Sequence, residues 1–431
     1  MSAVNNFDTL REQEYQLRQE ANRLRRGLYE SPGAQASPEA LAQLRQAEKA
    51  LHEIERQRIQ AQQRPDNLPA EGLVANTRRT TGLAGPTTTG LEAIITLKMA
   101  QVPTSICHLF TPEENPLVAC SVTNRSADTE IRRVRVTSYI EGYSAKAVDT
   151  AEIKRNTPWV FNQMPTLFPE RAKRVTELTR ATLNVLVEDL DGRVELQKTK
   201  PIWLLARTTA PLAVQDPTTA KWNDMTRYFG AFVTPNAPSV MSFLKLAAQR
   251  QAANKLVGYQ GKKEGVPLQV EALFNALRDV TKLDYVNSTV AFSPEEGASN
   301  QRVRLPRESL RDEEANCIDG TVLFASLLEA ISMNPAIVIV PGHAFVGWET
   351  WDKSGEWKYL ETTMIRSHTF EQSCDWADNL VAFYRALKEE IENEEKEAME
   401  GAEKGESKAA EKFRLWPLKE LRAAHRIMPM E

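Results

Sequence analysis

Residues 314–363 constrain the fold most, because three apolar segments of different pattern follow one another there with short breaks between them. The first runs from Cys317 to Ile331, Cys-Ile-Asp-Gly-Thr-Val-Leu-Phe-Ala-Ser-Leu-Leu-Glu-Ala-Ile, and is preceded by Asn316. Asn is a preferred N-cap and Asp319 falls in the first turn, so the pattern predicts a helix starting at or beside the cysteine. Next, Pro335-Ala-Ile-Val-Ile-Val-Pro341 is short and rich in β-branched residues, which reads as a buried strand. Gly342-His343-Ala-Phe-Val-Gly-Trp348 sets a glycine-flanked histidine at the start of a further strand. After the turn signal Asp352-Lys-Ser-Gly355, the run Trp357-Lys-Tyr-Leu-Glu-Thr-Thr363 alternates as a strand and carries Glu361.

Cys317, His343 and Glu361 are therefore a nucleophile, a base and a base-orienting acid, in that order. A thiol at a helix N-terminus sits at the positive end of the dipole, which favours the thiolate. A neighbouring imidazole stabilises that ion and later protonates a leaving amine. A carboxylate on the far ring nitrogen fixes the tautomer. Taken singly, each residue has a plainer reading: a buried structural thiol, a satisfied core histidine, a solvated strand end. Order and spacing together favour a catalytic site. One geometric condition attaches to the pair on the sheet. Side chains alternate faces, so His343 and Glu361 meet only if the register has even parity, which a loop with an odd number of residues around Asp352–Gly355 supplies.

The segments Asn-Cys-Ile-Asp-Gly-Thr-Val-Leu-Phe-Ala-Ser-Leu-Leu-Glu-Ala, Val-Pro-Gly-His-Ala-Phe-Val-Gly-Trp and Tyr-Leu-Glu-Thr-Thr resemble the transglutaminase-like superfamily of papain-related cysteine enzymes. The resemblance covers roughly residues 220–390. It implies an α+β papain-type domain with Cys317 as nucleophile, His343 as base and Glu361 in the third position, on an adjacent antiparallel strand. Glu361 stands where that family usually has Asp, one methylene shorter. The implied activity is thiol-dependent acyl transfer on protein or peptide amides, most simply hydrolysis by a cysteine peptidase or amidase. The alternatives are a crosslinking or deamidating transglutaminase, and an inactive relative that binds or scaffolds. An oxyanion hole would need a donor besides the Cys317 N–H. Asn287, Gln301 and Asn316 are the polar candidates, and none stands out.

The rest of the chain divides by composition. Residues 1–63 carry Phe7, Leu10, Leu17, Ala21, Leu24 and Leu28, then Leu44, Ala47, Leu51 and Ile54, at heptad-like spacing in two segments separated by Ser31–Pro38. They predict a helical hairpin or coiled coil whose seam is too narrow for an independent fold, serving self-association, a protein partner, or packing on the remainder. Residues 64–90 are rich in Pro, Gly and Thr and read as a linker. Residues 91–208 hold short strands and turns that suit an antiparallel β-sandwich of immunoglobulin-like architecture. Residues 209–431 form the transglutaminase-like portion, with a charged insert at 388–412 holding ten Glu and five Lys, which reads as solvated.

With 431 residues and a net charge of −4, the chain has no basic field to draw it to nucleic acid or acidic membranes. No run reaches a membrane span, and no signal-peptide core is present, so a cytoplasmic protein is expected. Four cysteines in so long a chain make no disulfide framework. Walker and dinucleotide glycine motifs are absent, Arg56 stands where His52-Glu53 would need a second zinc-binding His, and Cys107-His108 is isolated. No cofactor or metal is expected.

Overall fold

Two long helices, Ser2–Glu30 and Pro38–Gln62, open the chain and pack against each other. The computed structural model describes residues 2–30, 37–62, 90–190, 194–215, 222–251, 254–286, 298–398 and 413–430. The linker expected at 64–90 lies outside them, apart from Gly90. Leu10, Ala21, Leu28, Leu44, Ala47 and Leu51 are buried, as the heptad spacing requires, and Glu14, which interrupts that spacing between Leu10 and Leu17, pairs with Arg18 and Arg58. Yet the seam is not closed by the hairpin alone. Leu28 and Leu44 share a core with Val338, Val340, Phe345, Trp376 and Tyr384, so the hairpin rests on the C-terminal part of its own chain.

The middle of the chain is two sheets. One has three strands in the order Leu91–Leu97, Val118–Asn124, Pro158–Gln163. The other has five, in the order Gln101–Pro103, Val194–Leu205, Thr179–Asp189, Ile131–Ile140, Ala147–Lys154. Strand periodicity of two decides which side chains go inward. Val134, Val136 and Ile140 alternate into the interior, as do Leu183, Val185 and Val187, and they meet Val118, Cys120 and Val122 of the smaller sheet in one core. The expectation of purely antiparallel pairing is corrected at one edge: Gln101–Pro103 runs parallel to Trp203–Leu205. Two strands nearly a hundred residues apart in sequence need no hairpin between them, so nothing forces the antiparallel sense.

The same apolar core continues without a break into the C-terminal half, through Phe232, Val270, Phe274, Leu323 and Ile337. There a four-stranded antiparallel sheet has the order Trp357–Leu360, His343–Glu349, Pro335–Val340, Arg414–Pro417. The chain thus returns after its acidic segment to cover the sheet edge. The helix Cys317–Ala330 packs on this sheet and is buried nearly all round, because its sequence has apolar residues on every face. The strand expected at 285–292 is seen only as Asp284–Tyr285, and its remainder from 287 lies outside the described residues.

The acidic segment also differs from expectation. Residues 388–398 extend the helix Phe370–Ala398, and 399–412 lie outside the described residues. Ile391 is fully buried, and Glu390, Glu394 and Glu395 face Arg45, Lys49 and His52 of the hairpin. The charge run is therefore an internal contact along part of its length. Among the described residues no helix is long and apolar enough to cross a membrane.

Candidate active site

The cysteine helix starts at Cys317 for a local reason. Asn316 is its N-cap: Asn316 Oδ1 accepts from the Asp319 N–H at 2.8 Å, and Asp319 Oδ2 accepts from the Asn316 N–H at 3.2 Å. This reciprocal capping satisfies two donors that a helix start leaves open. Asp319 is fully buried, which raises its pKa, while hydrogen bonds from the Arg304 backbone and side chain pull the other way. Gly320 allows the helix to approach the segment after Glu361 closely. A Cβ there would lie 2.7 Å from Thr362 Oγ1.

His343 is positioned by a two-residue turn. Val340 pairs with His343 across Pro341-Gly342, and Gly342 has φ +73°, the left-handed region that glycine enters without steric cost. His343 is thereby the first residue of its strand. The neighbouring strand pairs Val346 with Leu360, and Glu349 with Trp357, leaving seven loop residues between the strands. Seven is odd, so the parity condition is met. The strand ends at Leu360 rather than at the expected Thr363, because Glu361 caps a single 3₁₀ turn over Thr362–Met364. Continuing the register by one residue still sets Glu361 opposite Phe345, two positions from His343 and on the same face.

The two side chains meet directly. His343 Nε2 and Glu361 Oε2 are 2.6 Å apart, with side-chain exposures of 5% and 1%. The second oxygen of Glu361 accepts from Thr363, at 3.0 Å from its N–H and 2.8 Å from its hydroxyl. Both carboxylate oxygens are thus occupied and the group is oriented. The Cys317 side chain lies close enough to the imidazole to help raise its pKa, and with Nε2 taken by Glu361, Nδ1 is the ring nitrogen left for the sulfur. Burial by itself lowers the imidazole pKa. The Glu361 charge, the Cys317 side chain and the hydrogen bond to Glu361 outweigh it and raise the group to about 10. An imidazolium flanked by a carboxylate and a sulfur can hold a thiolate and deliver a proton.

Cys317, His343 and Glu361, separate in the chain, are therefore brought together, with His343 and Glu361 in direct contact. All four cysteines are unpaired. Cys107, Cys120 and Cys374 are pushed up to about 12 by burial, so they remain thiols at neutral pH. Of the oxyanion candidates, Gln301 donates to the Arg302 carbonyl at 3.0 Å, Asn316 caps through Oδ1 while its buried Nδ2 has no hydrogen-bond partner among the described residues, and Asn287 lies outside the described residues.

Two groups were not legible in the sequence. Thr363 orients the carboxylate, and Tyr29 of the first helix stacks on His343 with ring centroids 4.5 Å apart and an interplanar angle of 19°. A threonine two residues past Glu361 is a usable local signal for the first. No local pattern marks Tyr29, whose hydroxyl bonds the Pro341 carbonyl from 312 residues away. No family model matches the chain, and no curated protein matches it.

Proposed function

We propose that this chain is a cysteine enzyme of transglutaminase-like, papain-related type that transfers acyl groups from protein or peptide amides, with water as the simplest acceptor. The observation that carries the reading is the buried His343–Glu361 pair, with His343 opening a strand and Glu361 just past the end of its neighbour, beside the half-buried Cys317 at a helix N-terminus. The Cys317 thiolate attacks the amide carbonyl carbon, forming a C–S bond. The carbonyl π electrons move to oxygen, where the Cys317 N–H at the helix start is one available donor. The tetrahedral species collapses, the C–N bond breaks, and His343 gives its proton to the departing amine. Water then adds to the thioester while the neutral imidazole takes its proton. The C–S bond breaks, the acid leaves, and the ion pair returns. An amine in place of water gives a crosslink by the same steps.

Glu361 works through His343: it keeps Nε2 engaged, directs Nδ1 to sulfur, and stabilises the imidazolium throughout. The first test is the pH dependence of Cys317 alkylation, followed by peptide mass spectrometry, in wild type and His343→Ala. An isolated thiol titrates near ~8.5. Fast reaction well below that, abolished in His343→Ala, supports the reading and justifies profiling with peptide amides. Reaction like a free thiol in both proteins overturns it and leaves a binding or scaffold role.

A further inference from the structure

We propose that Tyr29, carried by the N-terminal helix, is a positioning residue of this site, fixing the plane of the His343 ring and shielding its bond to Glu361. The inference rests on the acyl-transfer reading above. The hydrogen bond at Nε2 holds one edge of the imidazole but is a weak constraint on the tilt of the ring plane about Cβ–Cγ. A parallel ring 4.5 Å away limits that tilt, and Tyr29 supplies the ring. Phe345, the other aromatic neighbour, sits at 6.1 Å and is tilted by 38°, too far and too inclined to do the same.

Tyr29 is itself held at several points. Its hydroxyl donates to the Pro341 carbonyl at 3.1 Å, in the turn that immediately precedes His343. The same oxygen is 2.7 Å from the Tyr384 hydroxyl. Behind it, Arg25 Nε donates to Glu48 at 2.6 Å, and Glu48 is fully buried. Just before Tyr29 in this helix, Leu24 and Leu28 pack into the core shared with the sheet. The ring is thus braced against the turn, the long C-terminal helix and the hairpin interior at once. The titratable groups around the imidazole are Glu361 at Nε2, Cys317 nearby, Tyr29 on its face, and Tyr384, Arg25 and Glu48 behind Tyr29. Burial holds Tyr29 and Tyr384 well above the ordinary phenol range, so both stay neutral while the site works. A neutral aromatic face over an imidazolium is attractive, and more so away from water. On this view the hairpin is part of the catalytic centre.

The test uses the full chain, with iodoacetamide as the probe of Cys317 across pH 5–9, in Tyr29→Phe, Tyr29→Leu and His343→Ala. Tyr29→Phe keeps the ring but gives up both hydroxyl contacts, so its profile should lie between wild type and Tyr29→Leu. Tyr29→Leu keeps most of the volume but no ring. It should bring the loss of the imidazolium down in pH by up to about 1.5 units, the span of a cation–aromatic contact, slowing alkylation toward pH 9 and moving the profile toward His343→Ala. Leu28→Ala loosens the same helix without touching the stack. If it shifts the profile as much as Tyr29→Leu at equal loss of Tm, helix docking alone matters and the proposal is overturned. A Tyr29→Leu profile that superimposes on wild type, or runs faster, also overturns it. If wild type and His343→Ala react alike, the acyl-transfer reading itself has failed, a result distinguishable from the others.

Discussion

Replacing Glu361 by Gln removes one charge and almost no volume, which makes it the sharpest probe of the site. In wild type His343 is raised to about 10, although burial acts to lower it and the Glu361 charge is the largest opposing cause. Against an ordinary imidazole near ~6.5, that gap corresponds to roughly 5 kcal/mol in favour of the imidazolium. With the charge gone, burial is opposed only by Cys317 and a neutral hydrogen bond, so the imidazole should titrate at or below ~6.5. At pH 7.5 the imidazolium fraction then falls from nearly all to about a tenth, and the thiolate it supports falls with it. Second-order iodoacetamide rates at Cys317, read by peptide mass spectrometry from pH 5 to 10, should drop about tenfold at pH 7.5. Cys107, Cys120 and Cys374, held up at about 12, contribute little below pH 9. A Glu361→Gln profile that overlays wild type would show that the carboxylate does not set the charge on His343, and the argument for the triad would go with it.

The same pair makes stability depend on pH. A folded-state pKa raised to about 10 means His343's contribution is complete below ~6.5 and is lost as pH climbs through about 10. Urea midpoints of wild type and His343→Ala should therefore lie furthest apart near pH 6 and converge by pH 10. Gly320→Ala drives a methyl to within 2.7 Å of Thr362 Oγ1, so the helix and the Glu361 segment must separate. Denaturant titration should show a loss of about 1–3 kcal/mol, with slower Cys317 alkylation. Arg25→Met strips the cation from the buried Glu48 carboxylate and should cost about 3–5 kcal/mol, seen as early proteolysis within residues 2–62. Arg25→Met with Glu48→Met should recover most of that resistance.

Local chemistry made much of the site readable. Asn316 and Asp319 mark a helix start because capping is satisfied within four residues, and the helix begins at Cys317. Pro341-Gly342 marks a turn because only glycine enters φ +73° freely, and His343 follows it. The alternation Trp357 to Leu360 marks a strand for the same local reason. The short strand Gln101–Pro103 was not readable, since three residues carry no period and its parallel partner lies at Trp203–Leu205. Nor was the fate of the acidic segment: ten Glu and five Lys look solvated until Arg45, Lys49 and His52 stand opposite part of the run.

By itself the sequence determined which side chains could do the chemistry and on which elements they ride, because caps, turns and periods are settled by neighbours a few residues away. Tertiary structure decided whether those side chains meet. The parity of the His343–Glu361 pairing depends on how a seven-residue loop closes, and a slip of one residue would turn Glu361 to the opposite face. Tyr29 reaches His343 only because the hairpin's narrow apolar seam is completed by the sheet and long helix of the C-terminal half. An apolar stripe specifies that a surface must be buried but not against what, since the hydrophobic effect has no direction of its own.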